Sequence, residues 1–185
     1  MAQVASSQQD RRGISVSTVV NKQTFEIKLS VNTPDYSPSE WLINPTIPQA
    51  PKRYWIVDGN ELTIKDATGQ ATADAEYLVS QKESRKNELE TEHLEELETR
   101  YPAHRREALQ LLLTEAMITG NIERAEYIGQ AVAWAEQGRT DLYTVQDQVD
   151  AAVTPEEANT QTLNLEDWLA VDPKISVRTA EGIDG

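Results

Sequence analysis

Apolar residues alternate with polar residues near the start of the chain and take a helical spacing after about residue 70. The alternation covers residues 14–20 and 25–31, which predicts a β-hairpin with one buried face. The side chains that are predicted to lie on the buried face are those of Ile14, Val16, Thr18, Val20, Phe25, Ile27, Leu29 and Val31.

A proline-rich segment, residues 32–53, separates this hairpin from a second one. Its five prolines exclude a long helix and any strand in the middle of a sheet. The second hairpin is predicted from residues 54–57 and 61–65, because Asp58-Gly59 is a favoured turn dipeptide between two β-forming arms.

Residues 71–100 contain neither Pro nor Gly and are rich in Ala, Glu, Lys, Gln and Leu, which predicts one long helix. Large apolar residues are sparse in this helix, and none occurs between Ser80 and Glu88. A helix with so little apolar surface is expected to cross solvent as a spacer.

Further helical segments follow Pro102, a residue favoured in the first turn of a helix. The first of them is expected to bury one apolar set and to end at Gly120-Asn121. Its apolar residues are Ala108, Leu109, Leu111, Leu112, Leu113, Ala116, Met117 and Ile118. The next helix is predicted over residues 122–137 with Gly138 as its end, and a short helical piece follows. These segments predict a small antiparallel bundle.

The chain becomes acidic and polar after Pro155, apart from one apolar island around Trp168 and Leu169. An isolated amphipathic island in such a segment is typical of a peptide that binds a partner. The alternative is that this segment folds back onto the chain's own bundle, and the sequence does not choose between the two.

The predicted fold class is α+β, in five consecutive parts. These are a flexible arm (residues 1–13), a β-rich docking domain (14–69), a long polar helix (70–101), a helical bundle (102–153) and an extended acidic tail (154–185).

Composition narrows the classes of function. The formal net charge is −14, which disfavours binding to nucleic acid or to an anionic membrane. The chain has no cysteine, and therefore no disulfide and no Cys-based zinc site. We expect neither a secretory leader nor a membrane span, because the start of the chain is polar and no run of 18 apolar residues occurs.

Candidate chemistry is sparse in this sequence. His93 stands among acidic residues, where ion pairs on a solvated face are a more frequent explanation than a metal site. His104 belongs to a basic spot with Arg105 and Arg106, for which a salt bridge within the chain is favoured over a contact with a carboxylate of another subunit. The motifs GxGxxG, GxxxxGK[ST], GxSxG and HExxH do not occur. We therefore expect no enzymatic activity, no cofactor and no metal site.

Aromatic residues next to prolines are instead typical of a surface that docks onto another protein. The residues that we expect to bind a partner are Trp41, Tyr54, Trp55, Trp168 and Leu169. Trp41 is the best candidate for an exposed anchor, because it lies in a segment bracketed by prolines. Burial in the chain's own core is the alternative for Trp55.

Between residues 41 and 79 a W-x-x-N-P segment leads through prolines to a Y-W-x-V-x-G hairpin and then to a predicted helix containing D-A-x-x-L. The residues of these motifs are Trp41, Asn44, Pro45, Pro51, Tyr54, Trp55, Val57, Gly59, Asp74, Ala75 and Leu78. In this order the motifs resemble a module of tailed-bacteriophage proteins. Parts of the helical region, residues 106–110 and 120–125, are also similar to such proteins.

The resemblance implies a non-enzymatic structural component of a phage tail, at the fibre or the baseplate. Its partners would be other tail or fibre proteins, and a homo-oligomer such as a trimer would be expected. Such a protein is made in the host cytoplasm and ends in the virion. The alternative is a tail-fibre or tail-assembly chaperone that is absent from the mature virion.

Overall fold

The computed structural model describes residues 16–183, so the predicted flexible arm, residues 1–13, lies outside this range. The chain divides into two compact units, Met1–Tyr77 and Leu78–Gly185. Antiparallel strands precede a series of helices, which confirms the predicted α+β class.

Strand β1 (Ser17–Asn21) lies in the middle of a three-stranded antiparallel sheet, between β2 (Ile27–Ser30) and β3 (Trp41–Ile43). Strand β4 (Trp55–Asp58) pairs with β5 (Glu61–Ile64) in a separate two-stranded sheet. Strand β3 was not predicted. It lies at the edge of its sheet, which agrees with the exclusion of a central strand from the proline-rich segment.

The core of the N-terminal unit forms where the second hairpin covers β1 and β3. The buried residues are Val20, Leu42, Trp55 and Leu62, with Phe25, Ile47 and Val57 packed around them. The Trp55 indole nitrogen donates a hydrogen bond to the Ala50 carbonyl at 2.9 Å, so the one polar atom of this ring is satisfied inside the core.

The predicted buried face of the first hairpin is wrong for β2. Val20 is buried, but Leu29 is 72% exposed and Val31, just after the strand, is 67% exposed. The reason is that the apolar core reaches β1 and β3 and leaves the edge strand β2 uncovered. Ile14 lies outside the described residues.

The second hairpin forms as predicted, but its turn is displaced by one residue. Asp58 pairs with Glu61, so the two loop residues are Gly59 and Asn60 instead of Asp58-Gly59. Gly59 has a φ of 59°, a left-handed value that glycine adopts without the steric cost of a side chain.

The described helices have the following bounds. They are α1 (Ala67–Arg100), α2 (Ala103–Thr119), α3 (Ile122–Ala151), α4 (Pro155–Thr160), α5 (Leu165–Ala170) and α6 (Val177–Glu181). The boundary between α2 and α3 is confirmed. Gly120 ends α2 with a φ of 73°, and the Asn121 side chain caps α3 by accepting a hydrogen bond from the Arg124 amide at 3.0 Å.

The second half of α1 is not a solvent-crossing spacer. Leu89 and His93 are buried and Leu97 packs against the core, because these residues repeat every four positions on one face of the helix. The polar stretch that precedes them also makes tertiary contacts. Arg85 donates two hydrogen bonds to the Gln161 carbonyl, at 3.0 and 2.9 Å, and Lys82 donates one to the Asp150 carbonyl at 2.7 Å.

Helix α3 is continuous, so the predicted helix end at Gly138 is wrong. Gly138 lies inside α3 and is buried against the ring of Trp168. The indoles of Trp134 and Trp168 stack with ring centres 4.3 Å apart and planes 8° from parallel. Each indole nitrogen donates to the backbone carbonyl of the other tryptophan, at 2.9 and 3.0 Å.

The predicted extended tail is also wrong, because the segment after Pro155 folds back as α4, α5 and α6. Ala158, Trp168, Ile175 and Ala180 are all buried in the cores of the helical unit. The alternative that the sequence left open, folding back onto the bundle, is the arrangement observed. Among residues 16–183 no helix is long and apolar enough to cross a membrane.

We expect Gly138→Ala to destabilise the helical unit. A Cβ at this position would lie 2.7 Å from the Trp168 indole nitrogen and closer still to two ring carbons. The clash should cost about 1–3 kcal/mol of unfolding free energy, which outweighs the gain of about 1 kcal/mol in helix propensity.

The matched control is Gly129→Ala in the same helix, where a Cβ would meet no atom within 4 Å. This variant should gain about 0.5–1 kcal/mol. Urea unfolding followed by circular dichroism measures both variants. Equal stability changes in the two would contradict the packing of Trp168 on Gly138.

Candidate interaction surfaces

The five residues predicted to bind a partner occupy different environments. Trp55 and Trp168 are buried, and Tyr54 and Leu169 are half-buried in contacts within the chain. Trp41 is half-buried at the end of β3. Of the five, Trp41 therefore remains the best candidate for contact with another molecule, and the buried Trp55 and Trp168 are structural residues.

Trp41 stands on a surface formed by neighbouring side chains of the first sheet. The Tyr36 ring packs edge-on against it, with ring centres 5.0 Å apart. The Lys28 ammonium lies 5.1 Å from the centre of the indole, within the range of a cation–π contact. Ile43, two residues along β3 and on the same face, is also exposed.

Tyr54 contributes to the fold instead of to an open surface. Its hydroxyl donates to the Asp74 carboxylate at 2.7 Å, and the Arg53 guanidinium donates to the same carboxylate at 2.6 Å. The hydrogen bond from Tyr54, and to a lesser degree the one from Arg53, lowers the pKa of Asp74. The same bond to Asp74 raises the pKa of the Tyr54 hydroxyl. The cluster attaches the first turns of α1 to the segment that precedes β4.

Asn44, another residue of the phage-like motif, also has a structural role. It has a φ of 50°, and its side-chain oxygen accepts a hydrogen bond from the Thr18 amide at 2.9 Å. Its own amide donates to the Thr18 carbonyl at 2.6 Å. Asn is among the residues that tolerate left-handed backbone, so this position ends β3 and closes the sheet on β1.

A polar anchor around Tyr101 holds the C-terminal segment to the helical unit. The Tyr101 hydroxyl donates to the Asp172 carboxylate at 3.0 Å and accepts from the Ile175 amide at 3.0 Å. Burial, more than any other cause, raises the pKa of Tyr101 to about 12. The phenol therefore stays protonated and can keep donating to Asp172.

The two histidines do not form a metal site with other residues. Within residues 16–183, no group of three or more His, Asp or Glu side chains is arranged to hold a metal ion. His93 is buried, and its ring lies 4.9 Å from that of Trp168. Next to the exposed His104, Arg106 pairs with Glu98 within the same chain and lowers the pKa of that carboxyl group.

An apolar row on β2 is exposed to solvent. Ile27, Leu29 and Val31 alternate with Lys28 and Ser30, so they lie on one face of this edge strand. Sequence reasoning missed this surface because it assigned the same three residues to a buried face. The periodicity was correctly detected, but the extent of the covering layer cannot be seen in the alternation itself.

A second apolar surface lies at the turn between α2 and α3, and we call it the turn patch. It consists of Leu113, Met117, Ile122, Ala125 and Glu126, around a shallow depression of about 410 Å³. Met117 is 71% exposed and Ile122 is 70% exposed. The apolar set predicted for α2 included Met117, Leu111 and Ile118, and its burial is wrong for these three exposed residues, because they lie a quarter turn or more away from the core-facing Leu109 and Ala116.

A groove of about 490 Å³ runs between α1 and α3. Leu94 and Tyr143 line it and are about half exposed, and His93 reaches it from the core. Its two charged residues on α3, Glu136 and Arg139, bind each other. This pairing neutralises the α3 side of the groove.

Comparisons with protein-family models, with curated proteins and with solved structures find no match to this chain. The surfaces described above and the resemblance of residues 41–79 are therefore the basis for assigning a function.

We expect the helical unit to lose stability as the pH falls through the ordinary range of histidine titration. Burial lowers the pKa of His93 below 6.5, although Asp141 opposes this shift. The unfolded chain then takes up a proton near pH about 6.5 while the folded chain does not, so acid favours unfolding. His93→Phe should remove this part of the pH dependence.

Urea midpoints are measured at pH about 7.5 and about 5.5 for wild type and for His93→Phe. The effect is the difference between the two proteins in how much the midpoint changes with pH. That difference cancels the contribution of carboxyl groups that titrate in both proteins. An unchanged pH dependence in His93→Phe would show that the buried ring does not contribute.

Proposed function

We propose that this chain is a structural, non-enzymatic component of a bacteriophage tail, at the fibre or the baseplate, that acts through protein–protein contacts. Its partners would be other tail or fibre proteins, and it would itself assemble as a homo-oligomer, for which a trimer is the expected state. It would be made in the host cytoplasm and incorporated into the virion. The resemblance of residues 41–79 to phage modules supports a location in the phage tail. The exposed surfaces support action through protein–protein contacts.

The observation that carries the proposal is the apolar row on β2. Within residues 16–183 this strand pairs with a neighbour on one side, and its other edge presents backbone groups beside Leu29 and Val31. An edge strand with an exposed apolar face is a template for pairing with another chain. An assembly that covers this edge would remove the aggregation hazard and gain the buried apolar area.

The Trp41 surface supports docking by the same unit. Tryptophan and tyrosine are among the residues that most often dominate the binding energy of protein interfaces. Tyr36 and Lys28 both contact the Trp41 ring and restrict it, so less side-chain freedom is lost when a partner binds.

The first test is quantitative mass spectrometry of purified phage particles compared with the soluble lysate of the infected host. The proposal predicts a fixed number of copies per particle, at a multiple of three or six if the tail symmetry is imposed on this chain. Absence from particles, with recovery on free fibre protein, would replace the proposal by the tail-assembly chaperone. Absence from both would leave neither role standing.

We also expect Trp41→Ala to reduce incorporation into particles at least tenfold while the fold persists. Loss of the aromatic pair with Tyr36 should cost about 1 kcal/mol of unfolding free energy, which is small against the loss at an interface anchor. The measurement is copies per particle from a complemented infection, with circular dichroism of the purified variant. Ile64→Ala, on a half-exposed strand position of the same unit, is the control. Unfolding of Trp41→Ala with normal incorporation of the folded fraction would identify Trp41 as a core residue.

A further inference from the structure

The turn patch is a shallow apolar depression with one carboxylate among its lining residues. Its depression lies between the last turn of α2 and the first turn of α3, and it can accept a large side chain from another molecule. The one charged residue that lines it is a carboxylate, Glu126. A flexible thioether, Met117, forms part of its wall, and methionine adapts readily to side chains of different shape.

Charge around the patch is strongly one-sided. Between Leu113 and Glu126, the stretch that forms the patch, the chain carries three glutamates and a single cation, Arg124. The Arg124 side chain is itself engaged, because it donates to the Glu115 carboxylate at 3.3 Å and to the Glu181 and Ile183 carbonyls at 3.1 Å each. Arg124 is therefore not available to neutralise the Glu126 carboxylate, which can interact with a partner.

We propose that the turn patch binds an amphipathic helix whose apolar face is flanked by Lys or Arg. Such a helix places apolar side chains three and four residues apart, so one side chain can enter the depression while its neighbour covers Ile122. Its cations would meet Glu126 and the net charge of −14 on the chain. A second copy of this chain is a poor occupant of this patch, because the same surface would bring a second Glu126 carboxylate to the contact.

This inference rests on the proposed assembly function, since it assigns the chemistry of one partner to one surface. It adds a second contact in the helical unit to the contact that the sheet of the N-terminal unit makes. The two contacts are independent in sequence, so each can be removed without altering the other.

The test uses the full chain and fluorescent synthetic 18-residue peptides in an anisotropy titration. The first peptide has a leucine stripe at helical spacing with lysine at the flanking positions. The second replaces each lysine by glutamate, and the third keeps the lysines but scrambles the stripe. We expect the first peptide to bind at least tenfold more tightly than either of the others.

The patch variant is Met117→Ser with Ile122→Ser, and its matched control is Leu111→Ser with Ile118→Ser. The control residues lie on the outer face of α2 and are as exposed, at 72% and 81%. The patch variant should bind the first peptide at least tenfold more weakly than wild type, and the control within twofold. Glu126→Lys should weaken the first peptide and tighten the glutamate peptide.

Equal losses in the patch and control variants would overturn the assignment of the site, and tight binding of the scrambled peptide would show a purely electrostatic contact. Sedimentation of the wild-type chain tests the remaining occupant: a dimer abolished by the patch variant would replace the helix by a second copy. Particle mass spectrometry separates this inference from the proposed function. A wild-type chain that is present in particles but does not bind the first peptide would contradict only the inference about the turn patch. A chain that binds the first peptide but is absent from particles would contradict only the tail function.

Discussion

The helical unit depends on the packing of one tryptophan against one glycine. Trp168 stacks on Trp134 directly over Gly138, and each indole nitrogen is satisfied by the backbone carbonyl of the other residue. A buried indole without a partner for its nitrogen would be costly, so the reciprocal bonds determine the orientation as well as the depth of the ring. Since α5 carries Trp168, this contact fixes where the C-terminal segment crosses α3.

The rest of the C-terminal segment follows from that crossing point. Tyr101 binds Asp172 and the Ile175 amide a few residues further on, and the Asn121 and Arg124 side chains bind the Ile183 carbonyl. These contacts bring α6 against α2 and α3 and cover one side of the helical hairpin. The covering stops short of the turn patch, which is why apolar side chains remain exposed there.

Local pattern identified several of the elements but not which of their faces are covered. Alternation identified β1 and β2, turn chemistry identified the β4–β5 hairpin, and Gly120-Asn121 marked a true helix boundary. The predicted helix end at Gly138 was wrong because glycine commonly marks the end of a helix, so the sequence favoured that interpretation. Here a tryptophan far along the chain requires a residue without a side chain inside the helix. The exposure of Leu29 and Met117 has the same origin. Which side of an amphipathic element is covered depends on residues far along the chain, and no local spacing encodes it.

The sequence pointed to aromatic residues as candidates for binding a partner. The structure divides these residues into buried ones and one that lies at the surface. Trp55 and Trp168 satisfy their nitrogens on backbone carbonyls inside a core, which is how a tryptophan serves stability. Trp41 is instead held at the surface by Tyr36 and Lys28. The net charge of −14 helps to keep a chain with such exposed apolar surface in solution, because it opposes non-specific aggregation. A specific contact requires in addition that the partner match both the apolar surface and the local charge of the patch that it covers.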